Sequence, residues 1–260
     1  MKFKLGNRII NIHYLAIVGS TLHGINTENS DTDIKGVFDW DLKELLKMKK
    51  PQESIDKNNT LKEDWIDFIK QISKAFNLKE EDIDDLVLFE SKKFFENIIK
   101  NELNFLDLIH SNKMLLIENK FKEIKDKKYL FYDIERAKHK FLGMHKKYLK
   151  EYSKTKDLSK KYKNLGRSLH VLWLIEDFMI YKKYSPRLND SKIEVIKSIR
   201  NGYFNENEVF KMYEKSIQKI EKRFKYIKLR NKLFKFYKQN FDKTEFFDNK
   251  LYNLIVEGVA

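Results

Sequence analysis

Ala16-Ile17-Val18-Gly19-Ser20-Thr21-Leu22-His23-Gly24, followed seven residues later by Asp31-Thr32-Asp33-Ile34-Lys35-Gly36-Val37-Phe38, is the stretch on which the fold turns. The apolar run from Tyr14 to Val18 reads as a short buried strand. Gly19 and Ser20 end it with residues that let the backbone come close to a ligand, which suggests a phosphate seat. The second run alternates. Asp31, Asp33 and Lys35 fall on one strand face, and Thr32, Ile34 and Gly36 on the other. Two carboxylates one strand repeat apart repel unless a cation or proton lies between them, so the spacing suggests a hard divalent ion with oxygen ligands, most plausibly Mg2+. Taken singly, Gly-Ser is usually only a turn, and Asp-x-Asp arises often by chance; the combination carries the signal. A P-loop is excluded, because Ile25-Asn26 stand where Lys and Ser/Thr would be required after Gly19 and Gly24.

At these residues the chain resembles the DNA polymerase β-like nucleotidyltransferase superfamily, whose signature is Gly-Ser, a short helix and Asp-x-Asp. The fuller string GSTLHGINTENSDTDIKGVF is similar to the branch described as predicted nucleotidyltransferases of an RNA repair pathway, matching at Ser20, His23, Gly24, Ser30, Asp31, Asp33, Gly36, Val37 and Phe38. The resemblance implies a third carboxylate before a strand and a helix, in the form Asp, three apolar residues, an aromatic residue and Glu-x-Lys-Lys-Phe. Asp85-Leu-Val-Leu-Phe-Glu90-Ser-Lys-Lys-Phe94 fits it, making Asp85 the implied third metal ligand and Asp84 the fallback. By composition alone, the acidic run Glu80 to Asp85 reads as a solvated loop before a strand. The family's Asn-Pro-Asn and Leu-Glu-Leu are weakened here to Glu102-Leu103-Asn104 and Leu106-Asp107-Leu108, which puts a substrate contact from this segment in doubt.

The chain has 260 residues, 42% of them hydrophobic and 14% aromatic, enough for one large packed domain or two small ones. The absence of cysteine excludes disulfides, thiolate catalysis and Cys-containing zinc sites; the six histidines show no His-x-x-x-His spacing. A metal would be held by carboxylates. No apolar run approaches a membrane span and the start lacks a secretory h-region, so the expectation is a cytoplasmic protein. The formal charge of +14 is uneven: residues 1 to 110 carry net −4 and residues 111 to 260 net +18. A basic half draws in polyphosphate or nucleic acid. The competing reading is a bias toward lysine on solvated helix faces, since only seven of the 53 basic residues are arginine.

In order along the chain, Phe3 to Asn11 is an ambiguous first element. Trp40 to Met48 reads as a short helix stopped at Pro51, and residues 52 to 62 read as a loop. Trp65, Phe68, Ile69, Ile72 and Phe76 have helical spacing and form a core stripe. Beyond residue 116 the chain reads as helical, with one apolar seam at Ile134, Ala137, Phe141, Met144 and Tyr148 and another at Leu165, Leu169, Leu172 and Ile175. Lys163, Arg167 and His170 lie where the resemblance implies a Lys-x-x-x-His-x-x-Arg-like motif, although Gly166 and Trp173 depart from it. A lone His on such a helix is more often structural. Ile196 to Gly202 resembles the family's Ile-Arg-x-Gly turn, or is a plain helix stop. From Ile217 to Phe241 aromatic residues interleave with Lys and Arg, a pattern that serves base stacking or, more often, a half-buried helix.

The expected architecture is α+β: a nucleotidyltransferase-type mixed sheet with flanking helices over residues 1–115, then a basic helical domain over 116–260. The implied activity is transfer of an NMP from an NTP, such as ATP, to a hydroxyl acceptor, RNA or another polyanion. Two Mg2+ ions, replaceable by Mn2+, would be held by Asp31, Asp33 and Asp85. Gly19, Ser20, His23, Lys163, Arg167 and Arg200 would bind the nucleotide. A nucleic-acid-binding protein with a decayed core, and a transferase acting on a protein or small molecule, are the alternatives.

Overall fold

A computed structural model describes residues 1–26, 32–83 and 85–241. Asp31, Ser30 and Asp84 therefore lie outside the described residues. Within them the chain runs β1 (Lys2–Leu5), β2 (Arg8–Ile17), α1 (Gly19–His23), β3 (Asp33–Trp40), α2 (Leu42–Leu45), β4 (Ser54–Ile55), α3 (Lys62–Phe76), β5 (Asp85–Glu90), α4 (Ser91–Ile99), α5 (Leu103–His110) and β6 (Met114–Ile117). Helices α6 (Asn119–Asp126), α7 (Ile134–Lys154), α8 (Leu158–Tyr181), α9 (Asp190–Arg200) and α10 (Glu206–Phe241) follow. The α+β class is as expected. No helix of the described residues is long and apolar enough to cross a membrane.

The sheet order is β1-β2-β3-β5-β4, with β6 also pairing β2. All pairs are antiparallel except β3 with β5. That one parallel pair sets the site. Its register places Ile34 opposite Leu86 and Gly36 opposite Leu88 on one face, and Asp33 opposite Asp85 and Lys35 opposite Val87 on the other. The first face closes the main core, in which Ile10, Ile12, Leu15, Ile34, Phe38, Leu86 and Leu88 pack with Phe68, Ile69 and Ile72 of α3. Each such side chain contributes about 1.5 to 3 kcal/mol by leaving water. The other face carries an aromatic layer in which Phe89 meets Phe105 of α5 at 4.6 Å between ring centres.

Several sequence expectations shift here. The ambiguous Phe3–Asn11 segment is a hairpin turning at Gly6, whose φ of 59° favours glycine, so the strand before Gly19 begins at Arg8. Trp40 still belongs to β3, paired with Ile10 and packed edge-on against Phe38, which leaves only one turn for α2, capped by Asp41. The loop read over 52 to 62 contains the two-residue strand β4, which pairs with β5. The α3 stripe is as expected: Phe68, Ile69 and Ile72 are buried, with Trp65 and Phe76 packed beside them.

By compactness the chain divides between Ile217 and Gln218. In the first unit α8 is the central helix. Leu165, Leu169, Leu172 and Ile175 are fully buried, and so are Gly166, Ser168, Val171 and Leu174 on its other sides, as in a helix packed all round. Helices α7 and α9 lie against it. A reciprocal cap starts α10: the Asn205 side chain accepts from the Glu208 backbone N–H, and the Glu208 carboxylate accepts from the Asn205 N–H. The second unit, as far as it is described, is the rest of α10, with Ile220, Phe224 and Ile227 buried and Tyr226, Leu229 and Leu233 exposed.

Candidate active site

Gly19 ends β2 and begins α1 with φ of 65°, and its missing side chain makes room for a carboxylate. A Cβ built there would lie 1.7 Å from Asp33 Oδ2 and 2.5 Å from its Cγ. The phosphate-seat residue and the first carboxylate of β3 are therefore in direct apposition. Asp85 stands opposite Asp33 in the parallel register, where neighbouring strands run about 4.8 Å apart and opposed side chains share a face. These two Asp residues, with Gly19, Ser20, His23 and Lys35, line one side of a cavity of about 290 Å3.

Cations line the other side. Lys163, Arg167 and His170 recur at spacings of four and three on α8 and so form one stripe, which faces this cavity; Arg200, at the end of α9, joins them. Arg200 reaches in because Gly166 has no side chain: a Cβ there would sit 2.7 Å from Arg200 Cγ. Its guanidinium donates to the Ile25 carbonyl. Among the described residues neither Arg167 nor Arg200 has a carboxylate within ion-pair distance. Burial, and then the charge of Arg167, lower the Arg200 pKa. Two guanidiniums held together with no carboxylate of the described residues paired to them form an anion seat. Gly202, with φ of 78°, stops the helix that carries Arg200.

Three polar wall residues had no site role in the sequence reading: Asn104, Asp107 and Tyr148. Lys35 was only part of the strand alternation; its Nζ donates to Asn104 Oδ1 at 3.0 Å. Burial lowers the Lys35 pKa, opposed by Asp107, Asp33 and Asp85. The segment whose departure from the family pattern put a substrate contact in doubt thus supplies Leu103, Asn104 and Asp107 to the cavity. A carboxylate between Leu106 and Leu108, in an otherwise apolar helix, was the available signal.

Asp107 anchors the back of the site. It is buried, pairs with His23 Nε2 at 3.1 Å, and accepts from the Tyr184 hydroxyl at 2.5 Å. The other His23 nitrogen, Nδ1, lies 2.7 Å from the Pro186 carbonyl. Both ring nitrogens face acceptors, which the doubly protonated imidazolium alone satisfies. Burial works against that charge, but Asp107 and the Pro186 carbonyl outweigh it and raise the His23 pKa; Asp107, for which burial is likewise outweighed by His23, is lowered. His170 packs edge-on to His23 at 4.4 Å between ring centres. Burial first, then the charges of His23 and Arg200, keep it neutral, and its buried Nε2 has no hydrogen-bond partner.

A Mg2+ ion needs oxygen donors converging from one face, and Asp33 with Asp85 offers two, beside a backbone cradle that a Cβ at Gly19 would fill. No group of three such side chains occurs among the described residues, from which Asp31 is absent. The donor chemistry fits a hard divalent cation.

A Gly-Ser turn, a short helix, and strand-borne carboxylates on a mixed sheet are the arrangement that likeness to DNA polymerase β-type nucleotidyltransferases implies. The chain belongs to the RNA repair pathway DNA polymerase beta family, RlaP, whose family model matches residues 5–184. Membership points to nucleotidyltransferase activity. No curated protein and no solved structure matches the chain.

Proposed function

We propose that the protein is a metal-dependent nucleotidyltransferase that moves an NMP from an NTP to a hydroxyl acceptor. The observation that carries this reading is the charge of one cavity: Asp33 and Asp85 side by side on β3 and β5, in the same lining as Lys163, Arg167 and Arg200 from α8 and α9. A triphosphate bound there has its charge shared between the two sets.

Asp33 and Asp85, with Asp31, would hold Mg2+, for which Mn2+ can substitute; when bound, the metal neutralises charge that develops on the transferring phosphate. Ser20 and the backbone following Gly19 bind terminal phosphate oxygens. Lys163, Arg167 and Arg200 orient the triphosphate by charge-assisted hydrogen bonds, the arginines in bidentate fashion. Asp85, which is exposed at the cavity mouth, takes the proton of the incoming hydroxyl as its oxygen attacks the α-phosphorus. The new P–O bond forms as the bond to pyrophosphate breaks, and pyrophosphate departs along the cationic wall. Neutral His170 keeps one ring nitrogen for a hydrogen bond with the bound nucleotide.

Purified protein incubated with Mg2+, labelled NTPs and cell extract should label one class of acceptor, with ATP the expected donor. Absence of transfer from every NTP would overturn the reading. Gly166→Ala makes a sharper check. Alanine is up to about 1 kcal/mol better than glycine within a helix. That gain is offset by the clash with Arg200 Cγ, so thermal stability should change little or fall, while displacement of Arg200 weakens NTP binding by roughly tenfold or more, the worth of a hydrogen bond to a charged group. Unchanged nucleotide affinity in a titration would remove Arg200 from the phosphate seat.

A further inference from the structure

A second cavity, of about 550 Å3, opens at the corner between the end of α7 and the start of α8. Its cations are Lys154, Lys160, Lys163 and Arg167, against one carboxylate, Glu151. Lys163 and Arg167 line both cavities, so the two differ in their outer walls and share those two side chains. The nucleotide site accounts for the inner faces of Lys163 and Arg167. It leaves Lys154 and Lys160 without a role.

Both outer lysines are exposed. Among the described residues Lys160 has only the carboxylate of Asp157, at 3.9 Å on an open surface, which is worth little. Lys154 has no ion-pair partner among the described residues. From the cavity, exposed Lys150 and Lys147 continue along α7 at spacings of four and three, on the ridge of Lys154; Lys147 also meets Glu151 at 3.8 Å. That ridge is about 10 Å long. A mononucleotide is too short to use both it and the inner cavity, whereas a linear polyanion follows it and delivers one end to Lys163 and Arg167.

We propose that the α7–α8 corner binds the phosphate backbone of a polynucleotide strand whose terminal hydroxyl enters the nucleotide cavity between Lys163 and Arg167. That this strand is the acceptor rests on the transferase reading; the binding itself does not. The order of the parts is consistent with direct attack: strand phosphates on the outer cations, the shared pair at the boundary, and the carboxylates of β3 and β5 on the far wall.

The test is the anisotropy of a short fluorescein-labelled single-stranded RNA titrated with the full chain, with no NTP present, over a series of salt concentrations. Lys154→Gln with Lys160→Gln is compared with Lys211→Gln plus Lys215→Gln, two exposed lysines of α10 in the same basic half. The corner pair should weaken RNA binding by roughly tenfold and lower the slope of log affinity against log salt by about 1.4, the share of two single-strand phosphate contacts. The α10 pair should change neither, and binding of a fluorescent ATP analogue should be the same in all three proteins. No binding by the unmodified protein, equal binding by the corner variant, or equal weakening by the α10 variant would each overturn the site. RNA binding lost at the corner in a protein that transfers no nucleotide would keep the site and remove the transferase reading instead.

Discussion

Asp33→Asn and Asp85→Asn should each abolish nucleotidyl transfer while leaving the fold in place. Each change removes one negative charge from a site whose proposed role is to hold a divalent ion against a triphosphate, and metal-borne charge stabilisation is worth several kcal/mol. At 1.36 kcal/mol per factor of ten, the rate should fall on the order of a thousandfold. Asp85 is exposed, so its replacement should move thermal stability by no more than about 0.5 kcal/mol. Asp31→Asn should act like Asp33→Asn. Asp84→Ala should stay within a few-fold of the unmodified rate, because Asp85 is the residue that β5 sets opposite Asp33. Single-turnover rates with labelled ATP make the comparison, and an unchanged rate for Asp85→Asn would return the third-ligand role to Asp84 or end it.

The second large effect concerns stability. His23→Gln or Asp107→Asn leaves one member of a buried ion pair with its counter-charge removed, at a cost of about 3 to 5 kcal/mol. Urea denaturation measures it, and a double-mutant cycle isolates the coupling. The pH dependence has a definite sign. His23 has a raised pKa, so its contribution is complete below its ordinary value of 6.5 and is lost as pH climbs through the folded value. Asp107 has a lowered pKa, so its contribution is complete above 3.8 and is lost as pH falls through the folded value. The difference between the unmodified protein and either variant should be widest between about pH 3.8 and 6.5 and should narrow on the alkaline side. A gap below about 1 kcal/mol throughout would mean that neither group is charged in the folded protein.

Much of this was legible in the residues themselves, for identifiable reasons. The α3 stripe could be read because a period near 3.6 survives any tertiary setting, whereas Asp85 was reached by resemblance, composition alone giving a solvated loop before a strand. Lys163, Arg167 and Arg200 were reached by resemblance, and α8 with α9 carries all three to the cavity. What escaped notice depends on distant partners. Strand β4 exists because Ser54 and Ile55 meet the edge of β5, a backbone event with no side-chain pattern. Asn104 and Asp107 matter only through Lys35 and through His23 and Tyr184, far away in the chain. Gly166 looked like a lapse from a motif; it is the space through which Arg200 passes.

The parallel pairing of β3 with β5 also governs when the molecule becomes competent. Parallel strands cannot be joined by a tight turn, and here the whole of α2, β4 and α3 intervenes before Asp85 can lie beside Asp33. Closing that long loop is paid for before any contact repays it, which makes such pairings late events in folding. On the ribosome a nascent chain that has released Gly19, Ser20 and Asp33 still lacks the opposing carboxylate, and it lacks the cationic wall until Arg200 emerges. The cavity therefore has both of its charged sets only once Arg200 has been made, and the carboxylates come together before the cations that face the same space.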